Sequence, residues 1–330
     1  MSTILDVAAR AGVSVATVSR VINGSGTVSE KTVKKVMDAI DELSYNPNSA
    51  ARNLKVKRAG LIIVILPSIS NSFYTKIVRG MEDAGRASGY NVLLCTTGGD
   101  KSREATYLDM VKSRQADGVI FLSSTLTAEE INTFGKNYPA VLACENKNDA
   151  DVVYVGVNDF DAAYDMTKHL IDIGHKNIAM ISARGSGSSR LRELGFKKAL
   201  AEKELSPAAI EYGNYMYAES FEITLSLLKS KPDTSAIFAI SDVMAIGSAK
   251  ACHTLGLKVP EDISIAGFDN ITFSRMLNTE MTTVSQPRYQ IGQSAMQLLI
   301  EQIETGAKKQ KSIYLEHSLV IRESTTNKDI

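Results

Sequence analysis

Cysteine is scarce in this 330-residue chain: Cys95, Cys144 and Cys252 are an odd number, far apart, with no CxxC pair. That excludes a disulfide framework and fits reduced core thiols in a cytosolic protein. Long apolar runs are missing as well. The longest, residues 60–67, falls far short of the roughly 20 residues that cross a bilayer. The start carries Asp6 and Arg10 with no apolar segment behind a basic end, so no secretory signal is expected and no membrane partner. The four histidines are scattered, and His169 and His175 have the wrong spacing for one helical face. No G-x-S-x-G occurs. "RGSGSSR" begins like a dinucleotide-binding turn but places Arg190 where a third glycine is needed. No catalytic residues, cofactor or metal site are therefore expected, and the chain does not read as an enzyme.

Net charge is absent too, and that absence hides an asymmetry. Residues 1–60 hold nine Lys and Arg against five Asp and Glu, a surplus of +4; the remainder holds 28 against 32, or −4. A basic head on an acidic body suits a polyanion at one end. With 44% hydrophobic and 22% charged residues, the chain is a folded protein long enough for two or three domains.

Three short helices are written into the head. Thr3 and Asp6 form a capping box ahead of Leu5, Val7, Ala8 and Ala11. Gly12 ends that helix in the left-handed conformation. Ser14 offers an N-cap oxygen to a second helix over 15–23, and a third begins at Ser29 and Glu30 with Val33, Val36, Met37, Ile40 and Leu43 on one face. The spacing Ala8-x3-Gly12-x5-Val18 is that of a helix-turn-helix: a small residue where helices approach, a glycine at the sharp turn, a valine sealing the contact. Any three-helix bundle would share the turn. It would not need a second helix with Val18 and Val21 or Ile22 inward and Val15, Ala16, Thr17, Ser19 and Arg20 outward. That surface is small, neutral and hydroxyl-rich with one arginine, fit to lie in a major groove. Arginine pairs bidentately with guanine, and small apolar groups touch thymine methyls.

"LDVAARAGVSVATVSRVING" and "VSEKTVKKVMDAIDELSYNPNSAARNLK" closely resemble the head of the LacI family of bacterial transcriptional regulators, and the resemblance runs on to about Thr325. It implies that Val15 and Ala16 help select the operator, that Arg20 contacts bases, and that Ser14, Thr17, Ser19 and Asn23 lie on the DNA side. "NPNSAARNLKVK" matches the family hinge, which the resemblance expects to fold on DNA as a paired helix, with Leu54 wedged into the minor groove beside Ala51 and Lys55. Two such hinges imply a homodimer on a palindromic double-stranded operator. Residues 324–330 are polar and lack a heptad pattern, so a dimer is expected and not a tetramer.

From Gly60 short apolar runs alternate with amphipathic helices. Candidate strands are 61–66, 91–96, 118–123, 140–144, 152–157, 177–183, 236–240 and 263–268, too many for one sheet, and 152–157 looks like a passage between two. The pattern is a parallel doubly wound one in two α/β lobes with a ligand cleft between them. The resemblance likewise implies a periplasmic-binding-protein-like core crossed three times, near Asn158, 286–291 and Ile321. The fold class expected is therefore an all-α helix-turn-helix head with a hinge helix, then a two-lobed α/β core. Expected boundaries are 1–46 for the head, 47–59 for the hinge and 60–330 for the core. The first lobe would take about 60–158 and 291–320, the second about 159–290 and 321–330.

"SISNSFY" puts Phe73 and Tyr74 at a helix start after the first strand, a platform for a sugar or a base. By the family pattern Arg192, Ser241, Asp242 and Asp269 face the effector, Tyr215 stacks on it, and Glu145 and Asn146 join from "ACEN". An arginine and a carboxylate can clamp vicinal hydroxyls. Either Asn158 or Asp159 takes the place of an aspartate that ends the crossing strand in many relatives. The expected partners are operator DNA, a second copy of the chain, and a small effector: sugar or sugar phosphate first, nucleoside second. A protein corepressor stays open, and a sugar-binding protein without DNA binding is the alternative.

Overall fold

In a computed structural model the chain forms two compact units, Met1–Ala59 and Gly60–Ile330. The structure describes residues 2–23, 26–45, 58–147, 149–307 and 311–328.

The head consists of α1 (Ile4–Ala11), α2 (Val15–Asn23) and α3 (Glu30–Glu42). Thr3 and Asp6 make the reciprocal capping box, and Gly12 closes α1 at φ 66°. Ser14 Oγ accepts the Thr17 N–H at 3.2 Å and so starts α2, while Ser29 caps α3. Val7, Ala8, Ala11, Val18, Val36 and Ala39 form the core of this unit. One expectation fails here, that Met37 shares the inward face of α3. Met37 is 46% exposed and Leu5 is 66% exposed. On α3 the inward line runs through Val36, Ala39 and Ile40; Met37 lies about 100° round the helix from Val36 and misses it. Leu5 likewise sits beside, and not on, the line of Ala8 and Ala11. An exposed Arg10–Glu42 ion pair at 2.6 Å ties α1 to α3.

The core contains two six-stranded sheets. The first uses β1 (Leu61–Leu66), β2 (Asn91–Thr96), β3 (Gly118–Phe121), β4 (Ala140–Ala143) and β5 (Tyr154–Gly156). Between them come α4 (Phe73–Ala87), α5 (Lys101–Lys112) and α6 (Ala128–Gly135). The second uses β6 (Ile178–Ala183), β7 (Ala209–Gly213), β8 (Ala236–Ala239), β9 (Ser264–Asp269) and β10 (Thr282–Ser285). Its helices are α7 (Asp159–Asp172), α8 (Gly187–Ala201), α9 (Tyr217–Ser230) and α10 (Asp242–Thr254). The chain then returns as α11 (Arg288–Thr305) and closes with β11 (Ile313–Tyr314) and β12 (Ser318–Val320). The strand orders are β11-β5-β4-β3-β1-β2 and β12-β10-β9-β8-β6-β7. Central strands are buried on both faces, as parallel strands sandwiched by helices must be: β1, "LIIVIL", is buried from Ile62 to Leu66.

Residues 152–157 hold β5, a paired strand between β4 and β11, and the passage follows it. The second passage lies between β10 and α11, which packs on α4 of the first lobe. Reciprocal glycines make that contact close: a Cβ at Gly80 would strike the Tyr289 carbonyl, and one at Gly292 the Ile77 carbonyl. The third passage falls at 315–317, ahead of the expected Ile321. Leu315 N–H still donates to Gly156 of the first lobe at 2.7 Å, whereas His317 Nε2 meets Asp165 of α7 at 2.9 Å and β12 runs antiparallel to β10. In this stretch polar Glu316 and His317 interrupt two apolar runs, and the chain changes sheets at that break.

Candidate functional sites: the α2 face and the interlobe cleft

On α2, Ala16 and Arg20 are exposed, and Thr17 and Ser19 are half-buried. Val15 departs from expectation: it is partly buried against the head core, because one side of the first turn must seal the α1–α2 angle. Ser14 is exposed, its hydroxyl 2.9 Å from that of Thr17. The helix thus presents Ser14, Ala16 and Arg20 fully, with Thr17 and Ser19 flanking. The Asn23 side chain lies outside the described residues, as do Ala51, Leu54 and Lys55 of the expected hinge.

In the core, the loops at the carboxyl ends of strands from both sheets converge on a cleft of about 440 Å³, the size and place usual for a small-molecule site in doubly wound folds. Phe73 and Tyr74 enter from the start of α4, their rings edge to face at 5.1 Å. Glu145 enters after β4; Arg192, Tyr215 and Asp269 enter from the second lobe. Six of the nine expected effector residues therefore line one space. Three non-glycine residues with positive φ line it, Cys144 (68°), Tyr215 (60°) and Asp269 (115°), and Asn270 (52°) follows the last of them. Strained backbone of this kind persists where surroundings over-determine it, and clusters at binding sites.

Arg192 is the electrostatic centre. It is 5% exposed, donates Nε–H to Asp159 at 2.8 Å and Nη1–H to the Ile240 carbonyl at 2.6 Å, and lies 3.6 Å over the Phe268 ring. Burial opposes its charge, but Asp159, Tyr215 and Asp269 outweigh burial and raise its pKa. Asp159 is thus the arginine's partner, while Asn158 caps α7 by accepting from the Phe160 and Asp161 N–H groups. Burial pushes the Asp269 carboxyl up to about 8 against the pull of Arg192; its Oδ1 accepts from Gln286 at 2.8 Å.

Three expected residues stand outside the lining. Ser241 caps α10, accepting from Met244 N–H at 3.3 Å. Asp242 is wholly buried and holds the turn behind Asp269: it accepts from Ile271 N–H at 2.7 Å and Thr283 Oγ at 2.5 Å, and burial moves its pKa to about 7. Asn146 gives only backbone, its N–H donating to Ser188 Oγ at 3.2 Å, where Gly187 allows α8 to approach. A strand-tip acid can face the cleft or brace it, and residue type does not separate the two.

Sequence reasoning missed Lys147, Gln286 and Glu104. Lys147 Nζ lies 3.4 Å from Glu145 and donates to the Ser124 carbonyl at 2.8 Å. Glu104, fully buried, accepts from Ser124 Oγ and from Thr125 N–H and Oγ, so it fixes the first-lobe wall. Only the oddity of an acid in the apolar register of α5, with Leu108 and Val111, could have signalled it. Among the described residues no group of three His, Cys, Asp or Glu is placed to hold a metal, and no helix is long and apolar enough to cross a membrane.

Family models agree with this division. "Bacterial regulatory proteins, lacI family" matches residues 3–48, and "Periplasmic binding proteins and sugar binding domain of LacI family" matches 59–323. The chain belongs to the LacI family. This LacI-family chain is 38% identical to the ribose operon repressor of Halalkalibacterium halodurans over 326 residues, 98% of this chain and 97% of that one. It is 37% identical to catabolite control protein A of Priestia megaterium over 329 residues, 98% and 99% of the two chains. Among solved structures, the lac repressor dimer bound to operator and the anti-inducer ONPF superposes with a TM-score of 0.88 at 29% identity, covering 98% of this chain and 99% of that one. The protein is a DNA-binding transcriptional regulator of this family and not an enzyme.

Proposed function

We propose that this regulator is a homodimeric repressor that binds a palindromic operator through α2 and is switched by a small polyhydroxylated effector in the interlobe cleft. The observation that carries the reading is the buried Arg192–Asp159 pair beside Asp269 in an aromatic-walled cleft, in a chain whose head is a helix-turn-helix. An arginine already fixed by a carboxylate, next to a second carboxyl, offers donors and acceptors for neighbouring hydroxyls; Phe73, Tyr74 and Tyr215 offer faces for a ring. The lac repressor dimer that this chain resembles was crystallised bound to operator and the anti-inducer ONPF, and the likeness to a ribose operon repressor points to sugars.

Dimer formation draws support from the second lobe. Tyr217, Phe273 and Met276 are exposed by 43%, 55% and 68%, and with Ile246 and Leu277 they line one apolar groove that Ser70 and Ser72, at the approach to α4, complete. Exposed apolar surface of this kind marks an interface. The outward face of α4 itself carries Lys76, Arg79, Glu82 and Arg86.

In vitro selection of DNA by the full chain tests the operator part. The expected product is a two-fold symmetric site, with affinity falling steeply as salt rises, and with Arg20→Ala losing sequence preference. Enrichment of no site, or of an asymmetric one, counts against it.

A further inference from the structure

We propose that Arg288 is a positioning residue that clamps one lobe to the other behind the cleft and passes the cleft's occupancy to the first lobe. This rests on the reading of the cleft as the effector site and names how that site is coupled to the rest of the core.

Arg288 opens α11 at the end of the second passage, is 4% exposed and is not part of the cleft lining. Its backbone belongs to the first lobe. There α11 is locked on α4 by Gly80 and Gly292, and the Tyr289 hydroxyl donates to Asp83 of α4 at 3.1 Å. The guanidinium reaches the other way: Nη2–H donates to the Asn270 carbonyl of the second lobe at 2.6 Å. Nη1–H meets the Ser72 and Phe73 carbonyls, at the start of α4, at 3.5 and 3.4 Å. Burial lowers the pKa of this group, and the carboxyls that oppose burial, Asp269 and Asp242, both stand in the second lobe.

The Asn270 end of the clamp is fixed. Its N–H donates to Thr283 Oγ at 3.3 Å and its Nδ2–H to Ser285 Oγ at 3.0 Å, while its Oδ1 accepts from Arg322 at 2.7 Å. The α4 end is slack. Its bonds are at the long limit of hydrogen bonding, and the Ser72 carbonyl already accepts from Thr75 N–H and Oγ. Arg288 is thus held hard across the lobe boundary and loosely within its own lobe.

A ligand between Asp269 and the Phe73–Tyr74 pair bears on both ends of this clamp, because Asn270 follows Asp269 and Phe73 supplies one of the carbonyls. A shift of one lobe on the other changes the Nη1 bonds before it breaks the Nη2 bond, and a charge-assisted bond strengthens as it shortens toward about 2.8 Å. A contact whose strength differs between the empty and the filled cleft is what coupling requires.

The test uses the full chain, with ribose, glucose and adenosine as probes. Calorimetric titration selects a probe that binds, and fluorescence anisotropy reads the Kd for the selected operator with and without it. Wild type should respond by at least about fivefold. Arg288→Met should bind the probe within about threefold of wild type and respond by less than about twofold. Arg288→Lys, whose single ammonium replaces the two-sided guanidinium, should respond in between. A role in the cleft itself would weaken the probe and leave the response at saturation intact. That pattern overturns the proposal, as does a wild-type response with wild-type probe binding in Arg288→Met. Hydrogen exchange without any probe gives a second readout: Arg288→Met should lose about tenfold protection in segments 72–78 and 270–274 and keep it in β1 and β6. Unchanged protection overturns the proposal. If Arg288→Met does not fold, Arg288→Lys decides by the same two measurements. Binding of none of the probes counts against the cleft reading, and the exchange result then decides for Arg288 alone.

Discussion

The two lobes repeat one topology and divide the chemistry unequally. Each sheet places its second strand at the edge, its first beside it, and its third, fourth and fifth beyond, with a short strand from the chain end on the far side. Each has helices locked through glycine: α4 on α11 by Gly80 and Gly292 in the first lobe, α7 on α8 by Gly195 against the Phe160 carbonyl in the second. Yet the first lobe brings the faces of Phe73 and Tyr74 and the Glu145 carboxylate to the cleft, with Lys147 3.4 Å from that carboxylate. The second brings a fully buried ion pair, a strained carboxylate and a second buried acid behind it. Architecture is shared because alternating buried strands and helices have few ways to pack; the site is unequal because a ligand needs one wall that holds and one that covers.

That inequality sets the size of each effect. Arg192→Met leaves Asp159 buried without its cation and should cost about 3–5 kcal/mol of folding stability, together with all effector binding. Chemical denaturation of the full chain measures this, and a loss under 1 kcal/mol would mean that the second lobe is not organised around the pair. Gly195→Ala and Gly80→Ala should each cost about 2–4 kcal/mol, since backbone must move to admit the Cβ. Equal losses sharpen the claim that the lobes share their scaffold; a harmless substitution in one lobe breaks it.

Two buried acids of the second lobe predict a pH dependence of stability. The folded Asp269 and Asp242 values, about 8 and about 7, exceed the unfolded carboxylate value near 3.9. The folded state therefore holds more protons between these limits, and stability of the unliganded protein should fall as pH rises from about 4 to about 8. Asp269→Asn should remove part of that slope, so its melting temperature should gain on that of wild type between about pH 5 and about pH 8.5. An identical slope in both proteins would locate the effect elsewhere. Smaller still, Lys147→Met in the first lobe should cost about 1–3 kcal/mol, because it leaves the Glu145 carboxylate, 13% exposed, and the Ser124 carbonyl without their partner.

Much of this was legible in the sequence, for reasons that differ by region. Head caps are local: Thr3, Asp6, Gly12 and Ser29 act within a few residues of themselves, so type and spacing suffice. Strands buried on both faces announce themselves, as β1 and β6 do. The hydroxyl-rich β10, "TTVS", and the mixed edge strand β7, "AIEYG", do not, because their burial or pairing comes from neighbours far along the chain. The same holds at the site. Phe73, Arg192 and Asp269 follow from motif and family pattern, but that Asp159 pairs with Arg192 while Asp242 braces a turn depends on distances between segments 33 and 29 residues apart.

The central claim is that occupancy of the cleft changes DNA affinity. Its most direct test is a fluorescence anisotropy titration of the full chain on its selected operator, with and without a saturating cleft ligand. Wild type should shift its operator Kd by at least about fivefold, and Arg192→Met, if folded, should not respond. A ligand that demonstrably occupies the wild-type cleft and leaves the operator Kd unchanged would contradict the account.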